Sequence, residues 1–130
     1  MEGSGSIVGN GIWNEVFDLD LEIDGSGKID LDLFDEVENL LTIIDGSGFI
    51  NLGGGTAEFL KVDINGSGDL DAFSFEATDC EVNIKGSGDV EVNVTNDLFV
   101  DIDGSGDLCY RGNPSVSFVI DGSGSVNDCN

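Results

Sequence analysis

The chain has 130 residues, and its 27 acidic against 4 basic side chains give a formal charge of −23 with no histidine. Such a charge repels phosphate backbones and anionic membrane surfaces, and the lack of histidine excludes Ser-His-Asp triads, Cys-His pairs, His-ligated zinc and His proton relays. Apolar residues at 39%, with 20 glycines and one proline, are too many for an acidic disordered tail and suit one folded domain over residues 1–130.

Taken in chain order, Met1-Glu2-Gly3 has neither a basic nor an apolar leader character, and no apolar run reaches the roughly 20 residues of a membrane-spanning helix. From these residues alone a cytosolic chain and the processed part of a secreted one both stay open. The tripeptide Gly-Ser-Gly then recurs seven times, beginning at Gly3, Gly25, Gly46, Gly66, Gly86, Gly104 and Gly122, in steps of 22, 21, 20, 20, 18 and 18 residues. Two residues before it stand Ile23, Ile44, Ile64, Ile84, Ile102 and Ile120. Four before stand Leu21, Thr42, Val62, Val82, Val100 and Phe118, and six before Leu19, Leu40, Leu60, Cys80, Leu98 and Val116. Four residues past the first glycine come Ile29, Ile50, Leu70, Val90, Leu108 and Val126. Apolar side chains thus alternate at period two on both sides of every tripeptide, and each repeat reads as a strand, a corner and a second strand. The intervening Asp, Glu, Asn and Lys, such as Asp18, Asp20, Glu22 and Asp24, face water. Gly53-Gly54-Gly55 and Arg111-Gly112-Asn113-Pro114 read as further corners or loops.

One repeat cannot bury its own apolar row, so neighbours must stack. Placing isoleucine over isoleucine in register predicts an all-β parallel solenoid of about six coils, each strand pairing with its equivalent one turn away at about 4.8 Å, a rod of about 29 Å. An up-and-down sandwich would need no invariant isoleucine column. The predicted corners are Gly25, Gly27, Gly46, Gly48, Gly66, Gly68, Gly86, Gly88, Gly104, Gly106, Gly122 and Gly124, with glycine chosen because it tolerates positive φ.

The recurring Ile-x-Gly-Ser-Gly-Asp-Val/Leu pattern resembles the head GIN domain family of putative autotransporter adhesins. Glu81 to Val92 and Tyr110-Arg111-Gly112-Asn113-Pro114, followed by Asp121 to Val126, are similar to that family's last coils, and the resemblance spans about Leu19 to Val126. It implies a right-handed parallel β-helix that is secreted or exposed on a bacterial cell surface, its leader removed. It implies no catalytic residue. The family usually has a signal and a longer N-terminal region, so both ends of this chain read as uncapped, inviting another chain to add on.

Asp101-Ile102-Asp103-Gly104-Ser105-Gly106-Asp107-Leu108 matches the start of an EF-hand loop, but the twelfth position is Gly112 and the period-two pattern leaves no flanking helix. Weak calcium sites are still conceivable at Asp101, Asp103 and Asp121, where stacked carboxylates repel. No other cofactor is called for. A glycosidase-like carboxylate pair would arise by chance among 27 acids, and Trp13 and Tyr110 are the sole Trp and Tyr able to stack a sugar. Cys80 falls in the inward column as a buried, inert thiol. In strict register Cys109 lies over Asn127, so a Cys109–Cys129 disulfide requires the tail to bend back. The sequons at Asn65 and Asn93 follow from repeat composition. Leu41, Ile43, Phe99 and Val119 are apolar in the outward phase and form candidate interfaces, unless Ile12, Trp13 and Val16 cover the first pair.

The expected function is that of a non-enzymatic, adhesin-like surface module presenting Asp, Asn and Ser rows to a carbohydrate or protein. The alternatives are a homo-oligomer built by end-to-end coil stacking and a calcium-stabilised carbohydrate-binding module. Nucleic acid and membrane insertion are not expected.

Overall fold

Period-two alternation with glycine punctuation gives twelve strands and, among the described residues, no helix. The computed structural model describes residues 2–3, 6–11, 18–33 and 36–130. In chain order the strands are β1 (Glu2–Gly3), β2 (Ser6–Gly11), β3 (Asp18–Gly25), β4 (Lys28–Leu33), β5 (Glu36–Gly46), β6 (Phe49–Gly53), β7 (Thr56–Gly66), β8 (Asp69–Gly86), β9 (Asp89–Gly104), β10 (Asp107–Gly112), β11 (Ser115–Gly122) and β12 (Ser125–Asp128).

Every pairing is parallel, and each joins a strand to its equivalent in the next coil. On the first face β1, β3, β5, β7 and the second halves of β8 and β9 lead to β11. On the second face β2, β4, β6 and the first halves of β8 and β9 lead through β10 to β12. The chain is therefore an all-β solenoid of about five turns rather than six. The two-strands-per-repeat pattern also breaks in the middle coils, where β8 and β9 run on from one face to the other.

Ile23, Ile44, Ile64, Ile84 and Ile102 stack in register and are buried, with Ile120 partly buried above them. Thr42 interrupts the neighbouring apolar column, and its hydroxyl donates to the Lys61 carbonyl at 3.2 Å, so no lone polar group is left inside. Phe75 is fully buried, although periodicity does not single it out. It belongs to Phe73–Phe75, three residues of β8 without partners in β9. Farther on, Thr95 and Asn96 in β9 face only Thr78, so β8 has a net excess of two residues, and the repeat shortens there from 20 to 18.

The two glycines of each corner serve different needs. Gly46, Gly66, Gly86, Gly104 and Gly122 have φ between 122° and 130°, a region that side chains rarely adopt. Gly48, Gly68, Gly88, Gly106 and Gly124 need space instead: a Cβ on Gly124 would lie 2.8 Å from Ile102 Cγ2. The ladder continues through the corner, where the Ser67 amide donates to the Gly46 carbonyl at 3.0 Å and the Ser105 amide to the Gly86 carbonyl at 2.9 Å.

Phe118 departs from the inward expectation and is 56% exposed. Among the described strands β11 pairs with β9 alone, so none packs over Phe118 from the other side.

Candidate functional site

Since the inward rows fill the core, the ligand-facing chemistry lies in the outward rows. On the first face two of them run Asp18, Asn39, Phe59, Asp79, Asp97, Ser115 and Asp20, Leu41, Lys61, Glu81, Phe99, Ser117. Parallel pairing stacks each residue directly over its equivalent, so residues about 20 apart in sequence become neighbours.

A groove of about 510 Å³ opens where these rows meet the last coils, and among its lining residues are Phe59, Asp79, Glu81, Asp97, Phe99 and Ser117. Phe59 and Phe99 lie two rungs apart, about 10 Å along the axis at the usual interstrand spacing. Phe99 is 42% exposed, a large apolar area to leave in water. Asp79 and Asp97 occupy adjacent rungs, where like charges destabilise the sheet. Asn96 relieves part of this, its Nδ2 donating to Asp79 Oδ1 at 2.9 Å and to Asp97 Oδ2 at 3.4 Å. The same device recurs where Asn39 donates to Asp18 at 2.8 Å and Asn51 to Asp30 at 3.1 Å.

The second face is arranged differently. Asp69 accepts from the Asp89 amide at 2.9 Å and Asp89 from the Asp107 amide at 3.3 Å, so each carboxylate leans on the backbone of the next rung. Glu91 has its pKa raised by partial burial and by the Asp71 carboxylate beside it, with Arg111 opposing.

Of the expected site residues, Leu41 and Ile43 are half-buried on the second coil, and Ile43 lines a small hollow of about 240 Å³ with Asp63, Asn83 and Lys85. Their suggested cover, Ile12, Trp13 and Val16, lies outside the described residues. Val119 is 57% exposed on the terminal rung. Asp101, Asp103 and Asp121 do not form a cage. Asp103 faces Asp121 across the ladder while Asp101 lies two residues along the strand, and among the described residues no three carboxylate or thiol groups converge as metal ligands. These acids lie in lines because parallel pairing stacks each residue on its equivalent in the next coil.

Cys109 and Cys129 form a disulfide with their Cα atoms 5.7 Å apart. Cys109 does lie opposite Asn127, and diagonal neighbours are normally about 7–8 Å apart. The tail closes the difference by turning in. The Cys129 amide donates to the Tyr110 carbonyl at 2.8 Å, while the Asn130 side chain accepts from the Gly112 amide at 2.9 Å and donates to its carbonyl at 2.8 Å. Asp128 accepts from both the Asn130 amide and its Nδ2, which holds its pKa below the ordinary range. Cys80 is free and buried, and burial pushes its thiol pKa up, so it stays protonated.

Sequence reading missed Phe59, Asp79, Asp97 and Ser115 as a group. The signal was present in the outward columns read down the stack, which put Phe59 and Phe99 two rungs apart with acids between them.

A family model described as "putative auto-transporter adhesin, head GIN domain" matches residues 1–114. The chain belongs to the head GIN domain family. This head GIN domain is similar to two solved structures whose names call them putative adhesins. One, from Parabacteroides distasonis ATCC 8503, is 29% identical with a TM-score of 0.83 over 98% of this chain and 57% of that one. The other, from Bacteroides fragilis NCTC 9343, is 25% identical with a TM-score of 0.74 over 92% of this chain and 56% of that one. The head GIN domain thus spans little more than half the length of either. No curated protein matches it.

Proposed function

We propose that this head GIN domain is a non-enzymatic binding module displayed outside the cell, and that it engages its ligand through the first face. The observation that carries this reading is the groove between Phe59 and Phe99, where two rings, three carboxylates and two hydroxyls are held on rigid strands. Rows in strict register keep these groups at fixed spacing without any loop, which lowers the ordering cost of binding. The adhesin names of the family and of the two solved structures support the same class of role. A non-enzymatic role is supported by the absence of histidine from the chain, which removes the commonest general acid–base side chain.

Glycan and protein arrays probed with the full chain, with and without calcium, test this reading. Retention that is lost in Phe99→Ala and kept in Asp30→Asn supports it. No retention on any array, or retention indifferent to Phe99, overturns it. Protease shaving of intact cells tests the location, with loss of the domain expected.

A second reading has its own observation. Among the described strands β11 pairs only with β9 and β12 only with β10, and Phe118 and Val119 beside them are both more than half exposed. Such an edge can template another strand, which would extend the rod end to end. Light scattering at rising concentration tests it, and a strict monomer throughout would discard it.

A further inference from the structure

The two faces treat their outward phenylalanines differently. On the second face each of two rings carries a cation of the protein's own: the Lys28 ammonium is 5.5 Å from the Phe49 centroid, and the Arg111 guanidinium is 4.1 Å from that of Phe73. A ring face attracts a cation through its quadrupole, and burying the ring beneath an alkyl stem removes apolar surface from water. Phe99, on the first face, has no such partner among the described residues. Lys61 is two rungs away and opposes Glu81, and Lys85 is in the row beside the corner with Asp103.

Around Phe99 the acids are nonetheless in place. Glu81 lies on the rung below it, Asp97 two residues before it, and Asp79 below Asp97. Asp79 and Asp97 each give one oxygen to Asn96 and keep a second without a partner among the described residues. Ser117 on the rung above adds a hydroxyl. Ring, carboxylates and hydroxyl together present the groups that hold a cation. A neutral sugar could stack on Phe99 but would leave the Asp79–Asp97 repulsion in place. A guanidinium lowers it by neutralising Asp97, because its planar fork bonds carboxylate oxygens while its face lies on the ring. The charge of −23 also draws basic ligands toward the surface.

We propose that the groove between Phe59 and Phe99 binds an arginine-bearing peptide segment of a partner protein, with the guanidinium over Phe99 between Glu81 and Asp97 and the stem against Phe59. This names the ligand of the binding face proposed above and rests on that reading.

Isothermal titration of the full chain with acetyl-Arg-Gly-Arg-Gly-Arg-amide in physiological salt tests it, alongside the same peptide with uncharged citrulline in place of arginine. Binding should weaken about tenfold for citrulline and about fivefold each for Phe99→Leu and Asp97→Asn, with Asp30→Asn changing it less than about twofold. Phe99 is exposed, so Phe99→Leu keeps the fold, and circular dichroism checks this. Equal weakening by Asp97→Asn and Asp30→Asn with no effect of Phe99→Leu means diffuse charge attraction and overturns the proposal. Absence of peptide binding overturns it too. If the arrays then show an uncharged glycan held at Phe99, the binding face stands with another ligand, and if they show nothing, both readings fall.

Discussion

Gly106 lies directly over the side chain of Ile84, so that a Cβ on Gly106 would come within 2.7 Å of Ile84 Cγ2. The same fit recurs up the stack, with Gly88 over Ile64 and Gly124 over Ile102. The isoleucine column and the second glycine of the tripeptide are one packing unit, which explains why neither varies.

Gly88→Ala should therefore destabilise the protein although its φ is ordinary, because the new methyl meets both Ile64 and the Gly68 carbonyl. Gly86→Ala meets the Gly66 carbonyl and adds the strain of φ 127°. Each is expected to cost about 2–3 kcal/mol, measured by urea unfolding. A neutral Gly88→Ala would show that the corner can relax.

Phe75→Ala should cost about 3–5 kcal/mol, since a fully buried ring leaves a cavity. Phe118→Ala, at the open end, should cost less than about 1 kcal/mol. Equal losses in thermal melts would contradict the open terminal rung.

Breaking the Cys109–Cys129 link by Cys109→Ser should loosen the last coil. The bond closes a separation of 20 residues, a constraint worth up to about 3 kcal/mol on a chain-entropy basis. Amide exchange in β12 should speed up while that in β7 stays slow. Unchanged exchange at Val126 to Asp128 would show that Asn130 alone holds the tail.

Stacked like charges, among them Asp24 with Asp45, Asp79 with Asp97, and Asp103 with Asp121, should make stability depend on salt. Raising sodium chloride from low concentration to about 0.5 M is expected to raise the Tm on the order of 5 °C. At equal ionic strength calcium should do no more than magnesium, because no cage is formed. A rise specific to micromolar calcium would reveal a site.

Glu91 gives a pH test. Its pKa is raised in the folded protein, so ionising it costs more folded than unfolded, and its charge opposes folding at neutral pH. Glu91→Gln should then stabilise slightly at pH 7, by no more than about 0.5 kcal/mol after solvent screening. That gain should vanish as pH falls below the ordinary glutamate range, about 4.3. A gain that grows on acidification would reverse the assigned sign.

The stacking of coils was legible in the sequence because period-two alternation and an unchanging Ile-x-Gly-Ser-Gly step admit one register, in which a one-residue slip would turn the whole apolar row to water. The inward columns, Thr42 and Cys80 included, followed from that register. The outward rows did not declare a site, because nothing in linear order sets Phe59 beside Asp79 or Phe99 beside Glu81. Those contacts exist only once residues about 20 apart are brought to one interstrand spacing. Phe75 escaped the pattern because a bulge shifts its register, whereas the Cys109–Cys129 pair was a candidate whose closure depends on how the tail turns in. Local periodicity determined the solenoid, since burial of each row repeats with every coil. Only the tertiary structure decided the groove, since it arises from what neighbouring coils place together, and only it settled that Cys109 and Cys129, a candidate pair in the sequence, are bonded.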